Sequence, residues 1–207
     1  MKTTKKALLA LVCAAALVFG SVFATYAYLT STTDVVTNTF SVGNVTITLD
    51  EAAVDAYGEK IDSNKDQVID VKDRVTKNAY KLIPGHEYTK DPTVHVDANS
   101  EEAWLFVKVT NDIAEIEDAT TIAAQMAANG WTVIDAAKGV YAYNTKVNAG
   151  EDYKVFETFK VKGDADVADY ADAKIEIIAY AVQADGFGSA AAAWDATFGK
   201  PAETPAQ

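Results

Sequence analysis

The sequence predicts an all-β protein: a jelly-roll-like β-sandwich of about eight strands with one inserted helix, preceded by a cleavable N-terminal signal helix. Three observations carry that expectation. Apolar residues alternate with polar ones in short runs bounded by Gly, Pro, Asn and Asp. One interior segment has a helical period, whereas an α/β domain would need helices between most strands. The chain opens on a basic stretch followed by an apolar one, the pattern of an export leader.

In the leader, Lys2, Lys5 and Lys6 precede an apolar run from Ala7 to Ala24, and Thr25-Tyr26-Ala27 offers a small-x-small cleavage site. Cleavage between Ala27 and Tyr28 is therefore expected, and with it secretion. Uncut, the run is long enough to span a bilayer. Gly20, Ser21 and the triplet interrupt and end it as a leader would, so cleavage is preferred. Cys13 is the only cysteine and lies mid-run, badly placed for a lipid anchor, so the mature chain has no cysteine. Its 180 residues suffice for one domain with a core that needs no disulfides. The expected organisation is a signal peptide over 1–27, an N-terminal segment over 28–39, a sandwich domain over 40–199 and a disordered Pro- and Ala-containing tail over 200–207.

Charge narrows the function classes. The leader holds three of eighteen basic residues and none of thirty acidic ones, so its removal takes the formal charge from −12 to −15. Such a chain lacks the clustered basic face that nucleic acid or an anionic membrane requires. Acidity here serves solubility first.

Taken in order, Val45, Ile47 and Leu49 alternate with Asn44, Thr46 and Thr48 as a half-buried strand does. Glu51 to Arg74 loses the pattern and reads as a polar surface loop. Lys77 to Leu82 resumes a strand, Pro84-Gly85 is turn chemistry, and Thr93 to Val96 is extended. Ala103 to Thr110 is apolar on both faces, with Leu105, Val107 and Val109 on one and Trp104 and Phe106 on the other, so it belongs at the centre of a sheet. Asp118 to Asn129 takes helical period through Ile122 and Met126, with Asp118 or Thr120 as cap and Asn129-Gly130 as stop. Trp131 to Ile134, Val140 to Tyr143, Tyr153 to Val161 and Lys174 to Gln183 are further strands, and Ser189 to Thr197 is a short Ala-rich helix carrying Trp194.

Several stretches together resemble a known family. They are the leader ending in Tyr26-Ala27, the polar segment from Tyr28-Leu29-Thr30-Ser31 to Phe40-Ser41-Val42-Gly43, the strand Val45 to Leu49, Lys77-Asn78-Ala79-Tyr80 with Pro84-Gly85, Lys90-Asp91-Pro92-Thr93-Val94, and Ala179 to Gln183. In order and spacing they are similar to the TasA/camelysin family of secreted matrix proteins of Gram-positive biofilms. The resemblance implies processing by a dedicated SipW-like signal peptidase. It also implies an extracellular matrix or cell-surface location and assembly into fibres of sandwiches joined by their N-terminal strands, alone or with related matrix proteins. None of these motifs is catalytic, so a non-enzymatic protein is expected. The residues support strand donation independently. A new N-terminus carrying Tyr28, Leu29, Val35 and Val36 among threonines has high strand propensity but too little apolar length to pack alone.

The camelysin name also implies a metallo-endopeptidase, and the residues do not supply one. His86-Glu87-Tyr88-Thr89-Lys90 begins like a zinc-protease signature, but Lys90 stands where the second ligand belongs. His86 and His95 are the only histidines, and His95 reads as a satisfied surface or edge residue. The better ion candidate is a calcium loop. Asp62, Asn64 and Asp66 occupy loop positions one, three and five, Val68 offers its carbonyl at seven, and Asp70 and Asp73 sit at nine and twelve. Gln67 replaces the usual glycine at six, and no amphipathic helix precedes Asp62. An acidic loop without a cofactor is the preferred reading, with calcium at about 10⁻⁴–10⁻³ M, as in a calcium-dependent surface module, the alternative.

Overall fold

The computed structural model describes residues 44–199, so the expected leader, the segment 28–39 and the tail 200–207 lie outside the described residues. The described chain is mostly β, with two four-stranded sheets, one two-stranded pair and two α-helices. The first sheet contains β1 (Ile47–Ala52), β2 (Arg74–Val75), β4 (Thr93–Val96) and β8 (Asp152–Lys154), in the order β2-β1-β4-β8. The second contains β5 (Ala103–Asn111), β6 (Trp131–Asp135), β7 (Val140–Tyr143) and β10 (Ile175–Gln183), in the order β10-β5-β7-β6. β3 (Glu87–Thr89) pairs with β9 (Thr158–Lys160). All pairings are antiparallel.

Alternation decides which side chains meet. Ile47 and Leu49 of β1 stand opposite Val96 and Val94 of β4, and Ile177, Ala179 and Ala181 of β10 stand opposite Val109, Val107 and Leu105 of β5. These rows contribute to one core together with the buried Trp131, Phe156 and Phe159. The two sheets therefore pack face to face, as a sandwich requires. The other face of β5 is apolar for a different reason. Trp104 and Phe106 form a second, smaller core with Ala142 and with Ala193 and Trp194 of α2 (Ala190–Thr197). The central position expected for this strand holds.

Five expectations need correction. The polar surface loop expected over Glu51 to Arg74 is shorter, since Glu51 and Ala52 complete β1, Ala53 and Val54 are buried, and Arg74 opens β2. Lys77 to Leu82 forms no strand; its polar groups are spent on neighbours instead, with Lys81 N–H donating to Ala56 O (2.8 Å). Tyr153 to Val161 is two strands in different sheets. At the break Val155 and Phe156 are fully buried, and the Gln125 side chain takes over the backbone, accepting from Glu157 N (3.0 Å) and donating to Thr158 O (2.8 Å). The inserted helix α1 is shorter than expected (Ile122–Ala128), because Thr121 caps it, accepting from Ala124 N (3.2 Å), rather than Asp118 or Thr120. Among the described residues the strand total is ten, since β2, β3, β8 and β9 are fragments of two or three residues. The stop at Asn129-Gly130 is as expected, with Gly130 at φ +90°.

Candidate functional site

Three polar groupings surround β1, and none was assembled by the sequence motifs alone. On the outer face of the first sheet, His95 of β4 bridges the neighbouring strands. Its Nε2 lies 2.9 Å from Asp50 Oδ1 on β1 and its Nδ1 lies 2.6 Å from Asp152 Oδ1 on β8. Arg74 continues the chain, donating from Nε to the Asp50 carboxylate and from Nη2 to Asp50 O (3.0 Å) and Asp91 O (3.2 Å). Asp91 Oδ1 accepts from Ala52 N–H at 2.7 Å. His95 is thus satisfied, as expected, but by two carboxylates on a strand that lies between β1 and β8 rather than at an edge.

Mutual attraction sets the charge states here. Burial alone would raise the Asp50 carboxyl, but Arg74 and His95 hold it below its ordinary value. Burial alone would lower the His95 imidazole, but Asp50 and Asp152 raise it above 6.5. The cluster borders a cavity of about 660 Å³ that also touches Thr93 and Lys154. Thr93 Oγ1 donates to Asp91 O (2.9 Å), not to His95, so the imidazole activates no hydroxyl there.

The acidic loop lies beside this cavity, and its carboxylates fold onto its own backbone. Asp62 accepts from Asp66 N (3.2 Å) and Gln67 N (2.7 Å), Asn64 Oδ1 from Asp66 N (2.9 Å), and Asp66 Oδ1 from Val68 N (2.9 Å). Asp70 Oδ1 accepts from Lys72 N at 2.8 Å. Asp73 is the loop's anchor. It accepts from Asp70 N (3.0 Å), Ser63 N (2.7 Å), Ser63 Oγ (3.0 Å) and Asn64 N (3.1 Å), and these bonds hold its carboxyl below the ordinary value. Gln67 adopts φ +72°, the left-handed turn that a glycine would make at that position, so the substitution does not prevent the turn. Among the described residues no three His, Cys, Asp or Glu side chains converge as a metal-holding group. His86 stands apart, with Nε2 2.8 Å from Tyr57 O and its ring edge-on to Tyr88.

The third grouping is buried. Glu51, next to Asp50 on β1, points to the other side of the strand, where it is 6% exposed. Its Oε2 accepts from Lys90 Nζ (2.6 Å) and its Oε1 from Asn78 Nδ2 (2.9 Å). Asn78 also donates to Ala52 O (2.8 Å), and its Oδ1 accepts from Val54 N–H (3.0 Å). Tyr80 covers the group, its ring centroid 5.8 Å from Lys90 Nζ, and its phenol is pushed up first by burial and then by the charge of Glu51. Tyr88 and Phe159 complete the aromatic wall at 5.7 and 5.1 Å from Tyr80. One sequence signal pointed here: Glu51 falls on the inward register of Val45, Ile47 and Leu49.

A last feature concerns backbone. Among the described residues β10 pairs on one side only, with β5, while residues 47–50 of β1 pair on one side only, with β4. The two strands approach within 8 Å without pairing. The apolar rows along this seam, Val45, Ile47 and Leu49 against Ile175, Ile177 and Ala179, are only half-buried.

Compared with known proteins, the chain matches no family model, no curated protein and no solved structure.

Proposed function

We propose that this chain is a secreted structural protein of the extracellular matrix or cell surface, a jelly-roll-like sandwich that assembles by donating its N-terminal strand to a neighbouring copy or a related matrix protein. The observation that carries the reading is the pairing of two incomplete parts. The segment 28–39 has strand propensity without a core of its own, and the β1/β10 seam has half-buried apolar rows beside a nine-residue strand whose outer edge is free among the described residues. Adding a strand to such an edge gives main-chain hydrogen bonds for affinity and side-chain pockets for register. Repeated head to tail, the contact makes an open filament. Cleavage after Ala27 by a SipW-like peptidase is the switch, since the uncut leader holds the segment at the membrane. The resemblance to the TasA/camelysin family supports the same assembly.

The test is deletion of Tyr28 to Thr37. The expected product is a folded, soluble monomer that forms no filaments by electron microscopy, while the chain beginning at Tyr28 forms them. Filaments of unchanged form from the truncated protein would move assembly to another surface.

A calcium-dependent surface module is a second reading, favoured by the left-handed Gln67 at loop position six. In that reading Asp62, Asn64, Asp66, the Val68 carbonyl, Asp70 and Asp73 would turn from their own backbone toward the ion.

A further inference from the structure

We infer that Lys90 and Asn78 form an intramolecular isopeptide bond, with Glu51 as the group that transfers the protons. An amine, a carboxamide and a carboxylate, the three groups this condensation needs, are gathered here. The two oxygens of a single carboxylate hold the nucleophile and the leaving group, Lys90 Nζ at 2.6 Å and Asn78 Nδ2 at 2.9 Å. Lys90 and Glu51 are 7% and 6% exposed, so water competes poorly for the amine. The carboxamide oxygen already accepts from Val54 N–H at 3.0 Å, a fixed backbone donor where negative charge would develop. Tyr80, Tyr88 and Phe159 close the apolar side.

The step balances without an oxidant or a cofactor. Glu51 Oε2 takes a proton from the Lys90 ammonium and frees the amine. The Nζ lone pair forms a bond to Asn78 Cγ, and the carbonyl electron pair moves onto Oδ1, where the Val54 N–H receives it. Collapse breaks the Cγ–Nδ2 bond as Glu51 gives its proton to the departing nitrogen, and the surplus proton on Nζ returns to Glu51. The products are one secondary amide and one ammonia, which leaves as ammonium with that last proton and restores the carboxylate. Proximity replaces activation, because the folded core holds both partners on one carboxylate, as no encounter in solution would.

The bond would give this chain a staple that reducing agents cannot open, where Cys13 is the only cysteine in the sequence. It ties the segment after β2 to the end of β3, and through Glu51 it lies against β1. It stands independently of the assembly proposed above.

Intact-mass spectrometry of the purified full chain under denaturing conditions, followed by tryptic mapping, tests it. The expected polypeptide is lighter than its sequence by one ammonia, and one branched peptide joins Asn78 to Lys90. Lys90→Arg and Glu51→Gln should each restore the full mass, and Asn78→Asp should be lighter by one water. A wild-type protein that is folded by circular dichroism, has the full mass and yields separate Asn78 and Lys90 peptides overturns the proposal. So does a Lys90→Arg protein that still loses ammonia, since that loss would belong to a succinimide at Asn78-Ala79. Where the variants do not fold, the wild-type map alone decides.

Discussion

Asp50 and Glu51 are adjacent on β1, and strand alternation sends them into opposite environments. Asp50 faces outward into the chain formed by His95, Arg74, Asp91 and Asp152, whose side chains range from 14% to 66% exposed. Glu51 faces inward to Lys90, both side chains under a tenth exposed. The outer cluster has more partners and the inner one fewer, yet the inner one is the more consequential. Water screens and replaces the outer contacts, so each is worth little. In the interior nothing replaces a lost partner, and an orphaned charge keeps its full desolvation cost.

The largest effect should therefore come from the inside. Relative to wild-type protein in which Lys90 is still an unlinked ammonium, Lys90→Met leaves Glu51 buried without its cation and should destabilise the fold by about 3–5 kcal/mol in urea unfolding. Adding Glu51→Leu to that variant should recover much of the loss, because a packed apolar pair carries no desolvation cost. A Lys90→Met protein as stable as wild type would erase the contrast between the two faces.

The outer face should give a smaller, pH-dependent effect. The His95 value is raised on folding, so its stabilisation is complete below the ordinary 6.5 and is lost as pH rises through the raised value. His95→Gln should remove that decline and cost about 0.2–1 kcal/mol at pH 6, read from urea midpoints across a pH series. Parallel midpoint curves for the two proteins would show that the Asp50–His95–Asp152 bridge contributes nothing.

The acidic loop should give the smallest effect. Its Asp62 and Asp66 carboxylates cap exposed backbone, so the Asp62→Ala, Asp66→Ala double variant should unfold near the wild-type midpoint. Calorimetry at about 10⁻³ M calcium should show no binding heat in either protein. Heat in the wild type that vanishes in the double variant would establish the calcium reading.

What the sequence determined by itself was local. Period-two alternation located β1, β4, β5, β7 and β10, though it reads as ending before Glu51, and Asn129-Gly130 fixed where α1 ends. These are properties of a few consecutive residues, which side-chain direction and backbone preference decide without the rest of the chain. Tertiary structure decided the remainder. Lys77 to Leu82 has the apolar spacing of a strand, yet Asn78 and Lys81 bond to the 52–56 stretch and the segment joins no sheet. Tyr153 to Val161 reads as one strand because nothing local marks the point where it passes from β4 to β3. The meeting of Glu51, Asn78 and Lys90 spans 39 residues of sequence. No motif records it, because a buried cluster is set by which strands become neighbours, and that is a property of the whole fold.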